Sequence, residues 1–135
     1  MPLSILTSFS LLAMASPMLA AAPACTSLEL YLTRQTRMAE ARRITATSAF
    51  EVRPADVSYG LGEGAWRLIW ATPALAERGV FFFHKRDGAY RLVDTWGGML
   101  GPNERGMAAA WARKLGGDVS RSLAQCFERA LTAGK

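Results

Sequence analysis

Four consecutive bulky residues, Val80-Phe81-Phe82-Phe83, restrict what this chain can fold into more than any other feature. In a strand, successive side chains point to opposite faces, so these phenylalanines project to both sides of a sheet. A sheet with one face in water alternates apolar and polar residues instead. The sheet therefore needs helices over both faces, or one face must form a groove for a ligand or partner. The segment before it agrees: Trp66 and Trp70 share one face and Ile69 lies on the other.

The rest of the pattern gives an order of elements. Thr26-Ser27-Leu28-Glu29 has the spacing of a capping box, and apolar residues then recur near helical spacing, predicting a helix over 27–43. From Phe50 the period changes to two, with Phe50 and Val52, then Val57, Tyr59 and Leu61, alternating with polar residues or glycine. Pro54 divides this stretch into two short strands or one bulged edge strand. Gly60 to Gly64 reads as a turn, Trp66 to Ala71 as the next strand, and Thr72-Pro73 as the start of a helical turn closed by Gly79. Val80 to Trp96 is a hairpin turning at Lys85-Arg86-Asp87-Gly88. A two-residue loop sets Lys85 opposite Tyr90, and a three-residue loop sets His84 there. Asn103 can cap a helix ending at Gly116-Gly117, and Asp118 can cap a last helix carrying Cys126 on its apolar side. The expectation is an α+β fold: an N-terminal helix, about four antiparallel strands, and two C-terminal helices packed on the sheet.

The first 24 residues contain no Asp, Glu, Lys or Arg, so all 16 basic and 11 acidic residues fall in 25–135. The apolar stretch 3–15, Pro17 and the small-residue run 19–24 predict a signal peptide over 1–24, cleaved after Ala24 with Ala21 as the alternative, ahead of one small domain over 25–135. The prolines and early Ser/Thr residues argue against a spanning helix, and no later segment is long and apolar enough to be one. The two cysteines, Cys25 and Cys126, then meet an oxidising compartment, where an even pair forms a disulfide. A cysteine opening the mature chain also resembles the lipid acceptor of bacterial lipoproteins. Ala24 matches that signal, whereas Ala22 and Pro23 depart from it, so a lipid anchor on Cys25 is the alternative.

Chemistry is sparse. His84 is the single histidine, and a strand position beside phenylalanines suits a satisfied surface residue. Pairing with Asp87 or Asp94 is disfavoured by strand geometry. No metal-ligand or nucleophile motif is present, so no catalytic residue, metal or cofactor is assigned. Gly60-Leu-Gly62-Glu-Gly-Ala65 satisfies a dinucleotide-binding pattern, but Trp66 to Trp70 continues as a strand where that motif needs a helix N-terminus. The glycine-rich stretch 97–101 before a helix reads as a connection. The hairpin from Phe83 to Asp94 resembles those of small cystatin-like and nuclear-transport-factor-like domains. Those domains end on strands and this chain ends on helices, so no activity is carried across.

Two surfaces remain as candidates. Trp66, Trp70, Phe82 and Tyr90 can line a groove for a small apolar or anionic ligand, with Arg67 or Arg91 at its mouth. Arg34, Arg37, Arg42 and Arg43 can form a patch for an acidic partner. Arginines outnumber lysines 13 to 3 in a chain of net charge +5. Export removes nucleic acid as the partner of that charge and favours an envelope protein or an anionic envelope component. The functional expectation is a non-enzymatic exported binding, accessory or inhibitor-like protein. A pocket protein for a small ligand is the alternative, and a hydrolase is the last choice.

Overall fold

Four strands form one antiparallel sheet in chain order: β1 (Val57–Glu63), β2 (Trp66–Ala71), β3 (Gly79–Arg86) and β4 (Ala89–Gly97). Helix α1 (Arg34–Thr47) precedes the sheet, and α2 (Met107–Arg113) and α3 (Arg121–Thr132) follow it. The computed structural model describes Ser16 and residues 24–135, so the expected leader lies outside the described residues apart from these two of its positions. The α+β architecture expected from the sequence is the one observed.

The phenylalanine run explains the layering. Phe81 and Phe83 enter a cluster with Ala41 and Ile44 of α1, while Phe82 enters a second cluster with Ala108 and Ala112 of α2 and Leu123 and Phe127 of α3. Cover on both faces is thus achieved with helices, and all three phenylalanines are buried. Each full burial of such a side chain contributes about 1.5–3 kcal/mol.

The hairpin takes the two-residue loop. Asp87 and Gly88 both have positive φ, 50° and 79°, as the mirror-image turns of tight hairpins require. Lys85 therefore pairs with Tyr90 and Phe83 with Leu92, and an irregularity follows, with Phe82 opposite Asp94.

Several boundaries differ from expectation for identifiable reasons. Helix α1 begins at Arg34, capped by Thr33, whose side chain accepts from the Thr36 amide. Cys25–Leu28 form a single 3-10 turn instead, and beyond it Glu29 bridges Leu61 while the Leu30 amide donates to Gly60 O. The residues around Phe50 and Val52 are not a strand. Thr45 Oγ1 holds both backbone groups of Val52, accepting from its amide and donating to its carbonyl. Pro54–Asp56 make a 3-10 turn before β1.

Gly60 and Gly62 belong to β1 and not to a turn, which falls at Gly64-Ala65. Leu30 lies so close that a Cβ at either glycine would meet its side chain at 3.0 or 2.9 Å. Residues 72–78 contain only a turn and no helix. Helix α2 starts after Gly106, not after Asn103, and Ser120, not Asp118, caps α3 by accepting from the Leu123 amide.

Cys25 and Cys126 are joined by a disulfide, so Cys25 has no thiol left for a lipid. Among the described residues no helix is long and apolar enough to cross a membrane.

Candidate functional site

One row of side chains crosses all four strands on the face covered by α2 and α3. Pairing places Tyr59 beside Trp70, Trp70 beside Val80, and Val80 beside Trp96. The Trp70 ring is fully buried, packed edge-on against Tyr59 at 5.0 Å and tilted against Phe127 at 5.9 Å. The row lies near the end of the sheet where the β2–β3 and β4–α2 connections and the C-terminus of α3 converge.

Between them opens a cleft of about 600 Å³. Trp70, Val80 and Leu131 line it with Gly98 and Met99 of one connection and Thr72, Glu77 and Arg78 of the other. Gly134 and Lys135 complete it. Helix α3 ends there because Gly134 takes a positive φ of 75°, letting the Gly134 and Lys135 amides return to the carbonyls of Leu131 and Ala130. Arg78 Nη1 donates to the Gly134 carbonyl at 2.9 Å, and Lys135 Nζ lies 5.4 Å from the centre of the Tyr59 ring.

The polar inventory is lopsided. Among the described residues Trp70 Nε1 is buried with no hydrogen-bond partner, and so is Trp96 Nε1 farther along the row. An unmet buried N–H costs about 1–3 kcal/mol, so each needs an account. Trp70 lines the cleft and Trp96 does not. Tyr59 is satisfied: its hydroxyl donates to Glu29 at 3.0 Å, and burial followed by that bond pushes it up to about 12.

A second polar constellation lies at the opposite end of the sheet. His84 Nε2 is 2.7 Å from Asp118 Oδ2, Asp118 Oδ1 accepts from Trp66 Nε1 at 2.9 Å, and Arg86 Nε donates to His84 Nδ1 at 3.4 Å. The bonds to His84 and then Trp66 hold the Asp118 carboxyl below its usual range. The acceptor of His84 is thus Asp118, not Asp87 or Asp94. Both ring nitrogens are engaged, and among the described residues neither is bonded to a hydroxyl or thiol. The arrangement fastens the α2–α3 connection to the sheet and offers no activated nucleophile. Among the described residues no three His, Cys, Asp or Glu side chains are grouped to hold a metal.

The six residues expected to share a groove do not share one. Trp66, Trp70 and Phe82 lie under α2 and α3, and only Trp70 reaches the cleft. Tyr90 packs on the α1 side, where the Arg67 guanidinium also lies, because the two-residue hairpin loop sets Tyr90 opposite Lys85 instead of His84. Arg91 pairs with His84 at the hairpin end, on the other face from Arg67. The arginine patch is also divided. Arg34 and Arg42 are exposed, Arg37 donates to the Val57 carbonyl, and Arg43 binds Glu40 and lies 4.9 Å over Tyr90.

Sequence reasoning did not single out Thr72, Arg78, Val80, Met99, Leu131 or Lys135 for the cleft. They come from three separate stretches, 72–80, 99 and 131–135, and only the pairing of Trp70 with Val80 was open to deduction. Compared with protein-family models, curated proteins and solved structures, the chain matches none.

Proposed function

We propose that this protein is an exported, non-enzymatic binding protein whose ligand is a small, largely apolar molecule held in the cleft at Trp70. The observation that carries the reading is the cleft itself: about 600 Å³, walled by Trp70, Val80, Leu131 and Met99, with the buried Trp70 N–H lacking an acceptor among the described residues. Pockets of ~300–1,000 Å³ with apolar walls and a few convergent polar groups suit small molecules. The charge-free N-terminal stretch, with its small residues before Cys25, supports export through a cleaved signal peptide. The Cys25–Cys126 bond is compatible with an oxidising compartment.

Titration of the oxidised protein with a panel of twelve-carbon alkyl compounds, read by calorimetry, tests this. Saturable one-to-one binding of at least one member, abolished when Thr72→Phe fills the rim, is the expected result. A panel that binds nowhere, or binds the variant equally well, refutes it.

One observation favours a second reading. Leu75, in the connection that also supplies Thr72 and Arg78, is fully exposed, and Met99 of the other connection is largely exposed as well, so this end of the sheet presents more than one apolar side chain to an envelope protein. A Leu75→Glu variant that loses a defined partner while keeping small-ligand binding would select that role.

A further inference from the structure

We infer that the cleft selects a singly charged amphipathic carboxylate, its head bound by Trp70 Nε1 and the free edge of Arg78 and its alkyl tail lying on Val80, Leu131 and Met99. This rests on the cleft being a ligand site and goes further by naming the ligand's chemistry.

Complementarity fixes the head group. Trp70 lines the cleft, and its buried Nε1 has no hydrogen-bond partner among the described residues; indole can only donate. Its complement must carry an acceptor. Among the side chains lining the cleft, Arg78 and Lys135 are two cations and Glu77 one carboxylate. Arg78 uses one N–H on the Gly134 carbonyl, and a guanidinium has five donors in a fixed fork, so a second edge remains for a planar two-oxygen acceptor. A cationic head would be repelled by Arg78 and Lys135, with Glu77 the one lining side chain of opposite charge. A dianionic head would bring a second negative charge toward Glu77 and the carbonyl end of α3, where the helix dipole is negative. A single carboxylate satisfies the indole and one guanidinium edge together.

The walls fix the tail. Val80 and Leu131 are buried, and Met99 is largely exposed at the opening. A flexible thioether at the mouth of an apolar cleft adapts to unbranched chains of differing length. Trp96, one strand beyond Val80 and outside the cleft lining, takes no part.

The test compares dodecanoate, dodecanol, dodecyltrimethylammonium and acetate, each below its aggregation limit, by calorimetry on the oxidised protein at neutral pH. Dodecanoate should bind at least about tenfold more tightly than dodecanol, the increment of one charge-assisted hydrogen bond. The ammonium compound should bind more weakly still, and acetate alone should not saturate. Arg78→Gln should lower dodecanoate affinity about tenfold and so erase its margin over dodecanol, whereas Trp70→Phe should weaken both ligands, because the alcohol oxygen can also accept from the indole. Arg78 is exposed, so its replacement keeps the test valid if Trp70→Phe fails to fold, as judged by near-ultraviolet circular dichroism. Equal affinity for dodecanoate and dodecanol overturns the head-group assignment while the apolar cleft stands. Acetate binding as tightly as dodecanoate overturns the tail. Failure of every alkyl compound to bind overturns the cleft reading together with this one.

Discussion

Among the described residues Glu40 is the one charged residue buried in the core, and it is not alone there. Its two carboxylate oxygens are divided between Arg43, one helical turn away on α1, and Arg67 on β2. The guanidinium carbons of Arg43 and Arg67 lie 4.9 and 5.8 Å from the centre of the Tyr90 ring. The carboxylate thus links helix to sheet while the aromatic face receives both cations. Removing one member of a buried pair leaves the other charges uncompensated, a cost of about 3–5 kcal/mol when burial is complete. Both arginines keep about a quarter of their side-chain surface in water, so the expected loss for Glu40→Ala is smaller, ~2 kcal/mol. Urea unfolding at neutral pH measures it, and a loss below ~0.5 kcal/mol would reduce the network to surface decoration. Asp118 gives a prediction in pH. Its folded carboxyl titrates below the ordinary 3.8, owing first to His84 and then to Trp66. A carboxyl depressed in the folded state adds stability above its unfolded value, and that stability is lost as pH falls through the folded value. Wild type should therefore exceed Asp118→Asn in urea midpoint at neutral pH, and the gap should narrow as pH falls below the ordinary carboxyl value of 3.8 and close once the folded carboxyl is protonated. A gap that persists unchanged into strong acid would assign it to shape and not to charge.

At the scale of elements, the α2–α3 connection shows how a glycine can be required by packing. A Cβ on Gly116 would come within 2.8 Å of the Trp66 ring and 3.0 Å of Asp118 Oδ1, whereas one on Gly117 would meet nothing within 4 Å. Gly116→Ala should cost ~1–3 kcal/mol by overpacking. Gly117→Ala, with no positive φ to oppose it, should be neutral or gain up to ~1 kcal/mol by restricting the unfolded chain. Thermal unfolding of the two variants side by side checks the contrast, and equal effects would contradict it. Sequence pattern alone could not separate these neighbours, and the same limit governs much of what was misplaced. Strand β2, the hairpin and α3 were legible because burial and turn chemistry agree there with local periodicity. The start of α1 was not, because Thr26-Ser-Leu-Glu29 and Thr33-Arg-Gln-Thr36 offer similar hydroxyl caps. The choice between them is tertiary: Cys25 is tied to α3 and Leu30 to the edge of β1, which keeps residues 29–33 out of the helix. Asp118 and Ser120 presented the same ambiguity at α3. Ser120 won the cap because Asp118 is held by Trp66 and His84, groups 52 and 34 positions away. The cleft was illegible for the same reason, since its walls meet only when the sheet end and the α3 terminus come together.

Across the whole molecule, one covalent bond joins the first described element to the last. Cys25 and Cys126 are 101 positions apart, so the bridge encloses nearly every element of the described fold. Closing a loop of that size is worth about 4.7 kcal/mol in the chain-entropy account, and native disulfides of this kind commonly deliver 2–5. The bond also has a local task. From Cys25 the chain runs along the outer edge of β1, where Leu30 donates to Gly60 and fits against the bare backbone of Gly60 and Gly62. That segment covers part of an edge strand, which would otherwise offer unpaired backbone groups to another chain. The double variant Cys25→Ser/Cys126→Ser should therefore lose about 3 kcal/mol of global stability. It should also lose more protection at the Leu30 amide than at amides of β2 and β3, because local opening at 25–33 no longer has to break a tether. Hydrogen exchange resolved by residue reads both effects in one experiment. Uniform loss at every amide would mean that the bond acts only on the unfolded chain. Selective loss at Leu30, together with concentration-dependent association through the uncovered β1 edge, would show that the disulfide also holds the N-terminal segment against that edge.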